Sequence, residues 1–509
     1  MFFTNSDSEM KFRNSILLST AAVILLNSCI KDHNPPAPVE NASSFKEVAS
    51  IDLGGLAASE ISAYDPASKR LFTVNNESSA LVEVLDLSAF PTITKLKPID
   101  ISALGGVANS VAVSDGKVAI ALEAINKQAN GSVILVNAGT LQTIKQITVG
   151  ALPDMVTFSP DGKYIVTANE GEPNAAYTVD PEGSISIINV MDNYSVKTLS
   201  FGSFAASYSQ LALGGFRIFG PKASFAQDIE PEYVAVSSDS KKAFVTLQEN
   251  NGIAEVDLES GEITKINPLG TKDFSLAANA MDPSDKDNKI TLGNWPVKSF
   301  YLPDAISCFS TGGAQYLITA NEGDAREYTA FDEQARVSTL KLDSKAFPTA
   351  SALQLPANIG RLRVTNTLGD TDNDGDFDVL YGFGGRGFSI HNASSGQLVY
   401  ESGKTLEQEV INANIYDDDR SDDKGVEPEG VTIGWMNNKP VAFLALERVD
   451  AIAVYDVSDP AKPVFRQIIK TGDAPEGILF VSADKSPNGK SLLISSNEGD
   501  GTVKFYQSN

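Results

Sequence analysis

At 509 residues, 42% hydrophobic and 21% charged, the chain has material for a large core. Its length suits two or three ordinary domains or one toroidal repeat unit. A formal charge of −25 sets the surface against a nucleic-acid duplex and toward cationic ligands and divalent metals. The two histidines, His33 and His391, exclude a multi-histidine zinc or iron centre, and because His33 falls in a tail a Ser-His-Asp triad could draw only on His391.

The chain starts with a targeting pattern. Lys11 and Arg13 precede the apolar run Ile16 to Leu26, which is short for a bilayer span and fits the core of a signal peptide. Leu26-Asn27-Ser28-Cys29 resembles a bacterial lipobox, so residues 1–28 read as a lipoprotein signal peptide and Cys29 as the lipidated first residue of the mature chain. The alternative is a secretory signal cleaved elsewhere, and Met10 is an alternative start. Ile30 lacks the Asp of an inner-membrane retention signal, and Lys31-Asp32 resembles a short surface-export signal. The expected location is the outer membrane or cell surface of a Gram-negative bacterium, held by the lipid on Cys29. With Cys29 modified, Cys308 stands alone and no intramolecular disulfide is expected. Residues 29–44, Pro-rich and polar, read as a tether.

Residues 45–509 read as one β-propeller. Apolar runs ending in Asn-Glu or a variant recur at Asn76-Glu77, Asn169-Glu170, Gln248-Glu249, Asn321-Glu322 and Asn497-Glu498, with weaker copies at Glu123 and Glu447. Each repeat opens on an acid or amide, often after Pro, and continues through a short alternating strand and a turn such as Ser159-Pro160-Asp161-Gly162. A second strand ends in the phrase, and a third follows. Openings near Glu60, Asn109, Asp154, Glu232, Asp304, Val364, Glu429 and Glu476 favour eight blades, and seven stays open because the sixth unit is atypical. The strand Phe45 to Leu53 precedes the first unit and is expected to complete the last blade and close the ring.

Two acidic features suggest chemistry. In Asp370 to Asp378, the side chains of Asp370, Asp372 and Asp374 occupy positions 1, 3 and 5 of a loop, with Asp378 at position 9. Gly375 permits the turn, and Asp376 supplies its backbone carbonyl at position 7. Hard oxygens on this spacing suit calcium, although Tyr381 replaces the Glu that ends a helical calcium loop. The pattern resembles the calcium hairpins of integrin-type propellers, and a solvated acidic turn is the alternative. The second feature is a set of acids expected at one mouth of the axial channel, because a strand opening and the end of the next strand share a face of the ring. The set comprises Glu170, Glu172, Glu232, Glu322, Asp324, Glu427, Glu429, Glu476 and Glu498, with Glu60, Glu77, Asp154, Glu249, Asp304 and Glu447 at equivalent positions. Arg326, Arg386, Arg420 and Arg448 are nearby bases. The alternative is a blade-to-blade hydrogen bond inherited by duplication. The acidic run Tyr416 to Gly425 and the insertions Asn193 to Asp228 and Lys265 to Leu302 precede unit openings and could cover the same mouth, the stretch Leu211 to Phe225 covering the channel or meeting a partner.

Gln227 to Leu258, Thr319 to Tyr328 and Arg420 to Val431 resemble the choice-of-anchor I family of exported bacterial propellers, and the resemblance runs through the mature chain. It implies a surface protein whose anchor varies between members. Some relatives carry an alkaline-phosphatase label. The leading expectation is therefore a monomeric, lipid-anchored, calcium-binding surface module for a small-molecule, glycan or protein ligand, with no nucleic-acid partner. The alternative is a calcium-dependent hydrolase, phosphoesterase or lactonase-like, with Glu322, Asp324 and Arg326 as candidate catalytic residues and Arg326 as the phosphate contact.

Overall fold

A computed structural model describes residues 39–508, and residues 40–508 form one compact unit. The signal segment, Cys29 and His33 lie outside the described residues. No described helix is long and apolar enough to cross a membrane.

Seven antiparallel sheets of propeller type carry the fold. The third blade shows how the sequence builds one: Pro153–Phe158, Tyr164–Asn169, Ser184–Asn189 and Ser195–Ser200 pair in sequence order. Ser159 Oγ donates to Asp161 Oδ1 at 2.7 Å and Gly162 takes φ +69°, the left-handed conformation this turn needs. The two middle strands are buried on both faces because each blade is sandwiched between its neighbours, so they read as continuous apolar runs such as IVTA. The outermost strand faces water and buries only Leu199.

The inner strands start at Ser62, Ala108, Pro153, Pro231, Ile306, Pro428 and Pro475, and each packs on the next around the ring, the last returning to the first. In the seventh blade, Lys46–Asp52 lies antiparallel to Thr502–Gln507, so the N-terminal strand closes the ring as expected. Apolar clusters fill the spaces between blades, for example Ile318, Phe388 and Ile390 of the fifth against Leu444, Ala453 and Tyr455 of the sixth.

The ring therefore has seven blades, and the favoured count of eight is corrected. Val364, read as a unit opening, belongs to Arg363–Thr365 in a separate five-stranded sheet with Thr271–Asp273, Lys298–Phe300, Tyr381–Gly382 and Gln334–Arg336. This sheet is built from an insertion after the fourth blade and another inside the fifth, and it has its own core around Phe274, Val337, Ile359 and Leu380. Leu211 and Phe216 of the insertion before the fourth blade pack into the core between blades three and four. That stretch is thus mainly structural rather than a free cover.

Candidate functional site

Strand register creates two stacked rings of side chains at one end of the axial channel. In the third blade Pro153 pairs with Asn169, which places Asp154 and Glu170 side by side. The same register recurs with Pro428 opposite Leu446 and Pro475 opposite Asn497, giving Glu429 with Glu447 and Glu476 with Glu498. The opening ring consists of Glu60, Asp154, Glu232, Asp304, Glu429 and Glu476, with Asn109 in the second blade. The second ring holds Glu123, Glu170, Glu322, Glu447 and Glu498, with amides in the other two blades. Those amides correct the sequence reading. In the first blade Asn76 takes the ring place and donates to the Glu60 carboxylate at 2.9 Å, while Glu77 turns away to accept from Gly55 N–H at 2.7 Å. In the fourth, Pro231 pairs with Leu247, so Gln248 takes the place and Glu249 is buried behind it.

The rings enclose a pit of about 320 Å³ with strongly polar walls. Glu232, Glu322, Asp324, Glu429 and Glu476 of the expected set line it, together with Asp154, Asp304 and Glu447. Glu170 stands beside Asp154 and Glu232, with ligand oxygens of the three within 4.8 Å of one another. Glu498 lies close enough to raise the pKa of Glu60 and Glu476. Glu172 is drawn outward to Lys127, at 2.5 Å, and accepts from the Tyr328 hydroxyl at 3.1 Å. Glu427 is fully buried and serves as an anchor for bases: Arg420 and Arg448 donate Nε–H to it at 2.9 and 3.2 Å, and Lys424 Nζ lies 3.3 Å away.

Lys424, hidden in sequence within the acidic run, is the base the reading missed. Its ammonium meets Glu322 at 2.7 Å and Asp324 at 3.3 Å, and Gln248 donates to the other Glu322 oxygen at 2.7 Å. Arg448 pairs with Glu447 at 2.7 Å. The acidic run therefore does reach the mouth through this lysine. Arg326 does not. It is buried, donates Nε–H to Glu230 at 3.1 Å and Nη2–H to the Asp228 carbonyl at 2.6 Å, and stacks on Phe219. Arg326 is committed to the protein interior and offers nothing to a phosphate in the pit. Arg386 is likewise buried against Glu407.

Burial dominates the electrostatics of the pit, raising Glu322 even beside Lys424, and Glu447 to about 7 even beside Arg448. Glu427, despite its burial, is held below the usual carboxylate range by Lys424, Arg420 and Arg448. Burial and then the Glu172 charge push Asp154 up to about 7. Burial followed by neighbouring carboxylates drives Glu170, Glu232, Asp304, Glu429 and Glu476 well above their ordinary values. Two charges 4.8 Å apart repel by about 3 kcal/mol in an effective dielectric of ~20. Such a cluster takes up protons or a cation.

The Asp370 loop lies elsewhere, on the hairpin between Arg363–Thr365 and Tyr381–Gly382, and none of its residues lines the pit. Carboxylate oxygens of Asp370, Asp372 and Asp374 lie within 4.8 Å of one another, and Gly375 has φ +93°. Asp370 accepts from the N–H groups of Asp374 and Gly375, which folds the loop around its own first residue. The Asp376 side chain pairs with Lys341 at 3.0 Å, leaving its carbonyl as the group available to an ion. Asp378 accepts from Thr371 and groups with Asp343 and Asp376, so it stands apart from the other three. Three converging carboxylates on a tight turn fit calcium's preference for hard oxygen.

Gigasin-3a of Magallana gigas is 29% identical over 189 residues, covering 30% of this chain and 66% of that protein. The mesenchyme-specific cell surface glycoprotein of Strongylocentrotus purpuratus is 24% identical over 334 residues, 56% of this chain and 41% of that protein. The chain thus spans about two thirds of the length of the first of these curated relatives and less than half of the second. Among solved structures, the β-propeller domain of Myceliophteria thermophila Cps50 (Swd1) aligns over 91% of this chain and all of that one, at 8% identity and a TM-score of 0.47. The model of the choice-of-anchor I domain matches residues 60–460, most of the described chain, and the protein belongs to the choice-of-anchor I family.

Proposed function

We propose that the protein is a lipid-anchored, calcium-binding propeller that serves as a binding module at the surface of a Gram-negative cell. The observation that carries this reading is the open polar pit lined by repeated acids from five of the seven blades, a recognition surface built by the fold itself. Its chemistry suits ligands that bring a cationic group or bind through a metal. Family membership supports surface display, as does the similarity to a sea-urchin cell surface glycoprotein. Cys29 is the anchor in this reading, and the Asp370 loop holds a structural calcium that stiffens the lateral hairpin.

The ligand is tested by thermal-shift screening of cationic small molecules, glycans and basic peptides against the parent and Glu429→Gln plus Glu476→Gln. Ligands that stabilise the parent should lose most of their effect on the variant; equal stabilisation of both would remove the pit as the recognition surface. Calcium in the loop predicts that EGTA lowers Tm and that Asp372→Ala plus Asp374→Ala reduces the difference. An EGTA-insensitive parent would refute it.

One observation favours the hydrolase alternative: Lys424 and Arg448 stand beside Glu322, Asp324 and Glu447 in the same pit, supplying the positive groups a phosphoester needs. Turnover of a phosphomonoester or lactone with calcium, lost in Glu322→Gln, would establish it. A panel giving no turnover above that variant leaves binding as the function.

A further inference from the structure

We infer that the protein docks on an anionic lipid surface with the Trp435 end of its channel, so that the acidic pit faces away from the membrane. This rests on the reading of Cys29 as the lipid anchor. Strand direction sets the orientation. Lys46 pairs with Gln507 and Asp52 with Thr502, and Thr502 lies opposite Asn497 at the pit end, so the closing strand runs toward the pit. The chain therefore enters the ring at the opposite end. Glu40 is fixed there: its N–H donates to the Asn437 side chain at 3.2 Å, its carbonyl accepts from the Asn437 amide at 2.6 Å, and its carboxylate accepts from Ser491 N–H at 2.8 Å. Asn437 directly follows Pro428–Met436, the strand that carries Glu429 at the pit and Trp435 at its far end. From Cys29 to Glu40 the chain reaches at most about 40 Å. The nine residues of Pro428–Met436 already span about 30 Å. Turning the pit to the membrane would take up most of that reach, and standing on the Trp435 end takes up little.

The far end has the chemistry of a membrane-facing surface. Trp435 is 47% exposed and borders a hollow of about 600 Å³ with Pro160, Ile433 and Leu479. Tryptophan favours the boundary between headgroups and acyl chains, because its ring is apolar and its N–H is polar. Lysines stand in or beside the first turn of six blades, at Lys69, Lys117, Lys163, Lys241, Lys439 and Lys485. Aspartates in several of these turns offset part of that charge, as where Asp161 pairs with Lys163 at 2.9 Å. The pit end, in a chain of net charge −25, instead gathers acids from most blades. An anionic bilayer repels the pit end and accepts the lysine-bearing one. Ile125, 87% exposed, also lies at the pit end, two residues beyond Glu123, so charge rather than apolar exposure decides between the two ends.

The test uses the full lipidated chain with Cys308→Ser, reconstituted into vesicles of phosphatidylethanolamine and phosphatidylglycerol that carry a doxyl-lipid quencher. A fluorescent label is attached through Lys485→Cys on the docking face or through Ile125→Cys at the pit end. Doxyl quenching acts at contact, so the label at position 485 should be quenched several-fold more than the label at position 125. Trp435→Ala should reduce that difference. Equal quenching at both positions, or stronger quenching at position 125, would overturn the docking face. Co-sedimentation of Cys29→Ala with the same vesicles reports on the anchor separately. Release of this variant, with the wrong quenching pattern in its parent, keeps the anchor and removes the docking face. Retention of the variant, with quenching confined to position 485, removes the anchor and keeps the face. A parent that stays in solution overturns both.

Discussion

Arg326→Met separates a buried staple from a ligand contact. The guanidinium is 3% exposed and is held by Asp228 and Glu230, while Asp228 also accepts from Phe219 N–H at 2.9 Å. Methionine fills similar volume but leaves two buried carboxylates without their cation, and breaking a buried pair in this way costs about 3–5 kcal/mol. Glu230 already sits at about 7 through burial, although Arg326 lowers it, so losing the guanidinium shifts it further up and the site protonates rather than staying charged. For a unit of this size the entropy of unfolding is about 1 kcal/mol per degree, which converts the loss to roughly 3–5 °C in Tm. Differential scanning calorimetry measures the shift, and the same samples are tested for ligand and calcium binding, which should be unchanged. An unchanged Tm accompanied by weakened ligand binding would refute the argument and return Arg326 to the site.

The pH dependence of stability follows from the mouth acids. Burial raises Glu60 to about 7 although Asn76 donates to it, so its folded pKa exceeds its unfolded one. Its contribution is present below the unfolded value and lost as pH rises through about 7, a change of about 3 kcal/mol for this group. In EDTA, Tm should therefore fall between pH 5 and 8, and Glu60→Gln should flatten the slope; a Tm that rises over this range contradicts the assignment. Removing Lys46–Asp52 leaves Thr502–Gln507 as an exposed edge, and light scattering should show aggregation on mild heating where the parent stays monomeric. Cys29→Ala should move the protein from the membrane fraction to the soluble one; unchanged membrane partition would exclude the lipid as the anchor.

The rings were legible in sequence because the Pro-acid opening and the Asn-Glu ending each sit at a fixed place on a repeated hairpin, as at Pro153-Asp154 and Asn169-Glu170. Glu77 and Glu249 were misplaced because their copies carry an additional residue before the acid. A one-residue slip at the end of a strand sends the side chain elsewhere. The blade count was misread for a different reason. The five-stranded sheet joins short segments from Thr271 to Gly382, with a parallel pairing between Lys298–Phe300 and Tyr381–Gly382, and strands of two or three residues carry no periodicity. Arg326 looked like an extension of the ring because its partners, Asp228 and Glu230, come from about a hundred residues away. Lys424 was masked by the acids around it, and only the fold shows that it points at Glu322.

The most direct test of the central claim, that the acidic mouth is a cation site rather than a by-product of blade repetition, is an anomalous-difference map from crystals grown with Mn²⁺ or Ca²⁺ at neutral pH. The account predicts a peak among the acids that line the pit, in addition to any peak at Asp370, Asp372 and Asp374. A mouth without a peak, alongside an occupied Asp370 loop, would contradict it.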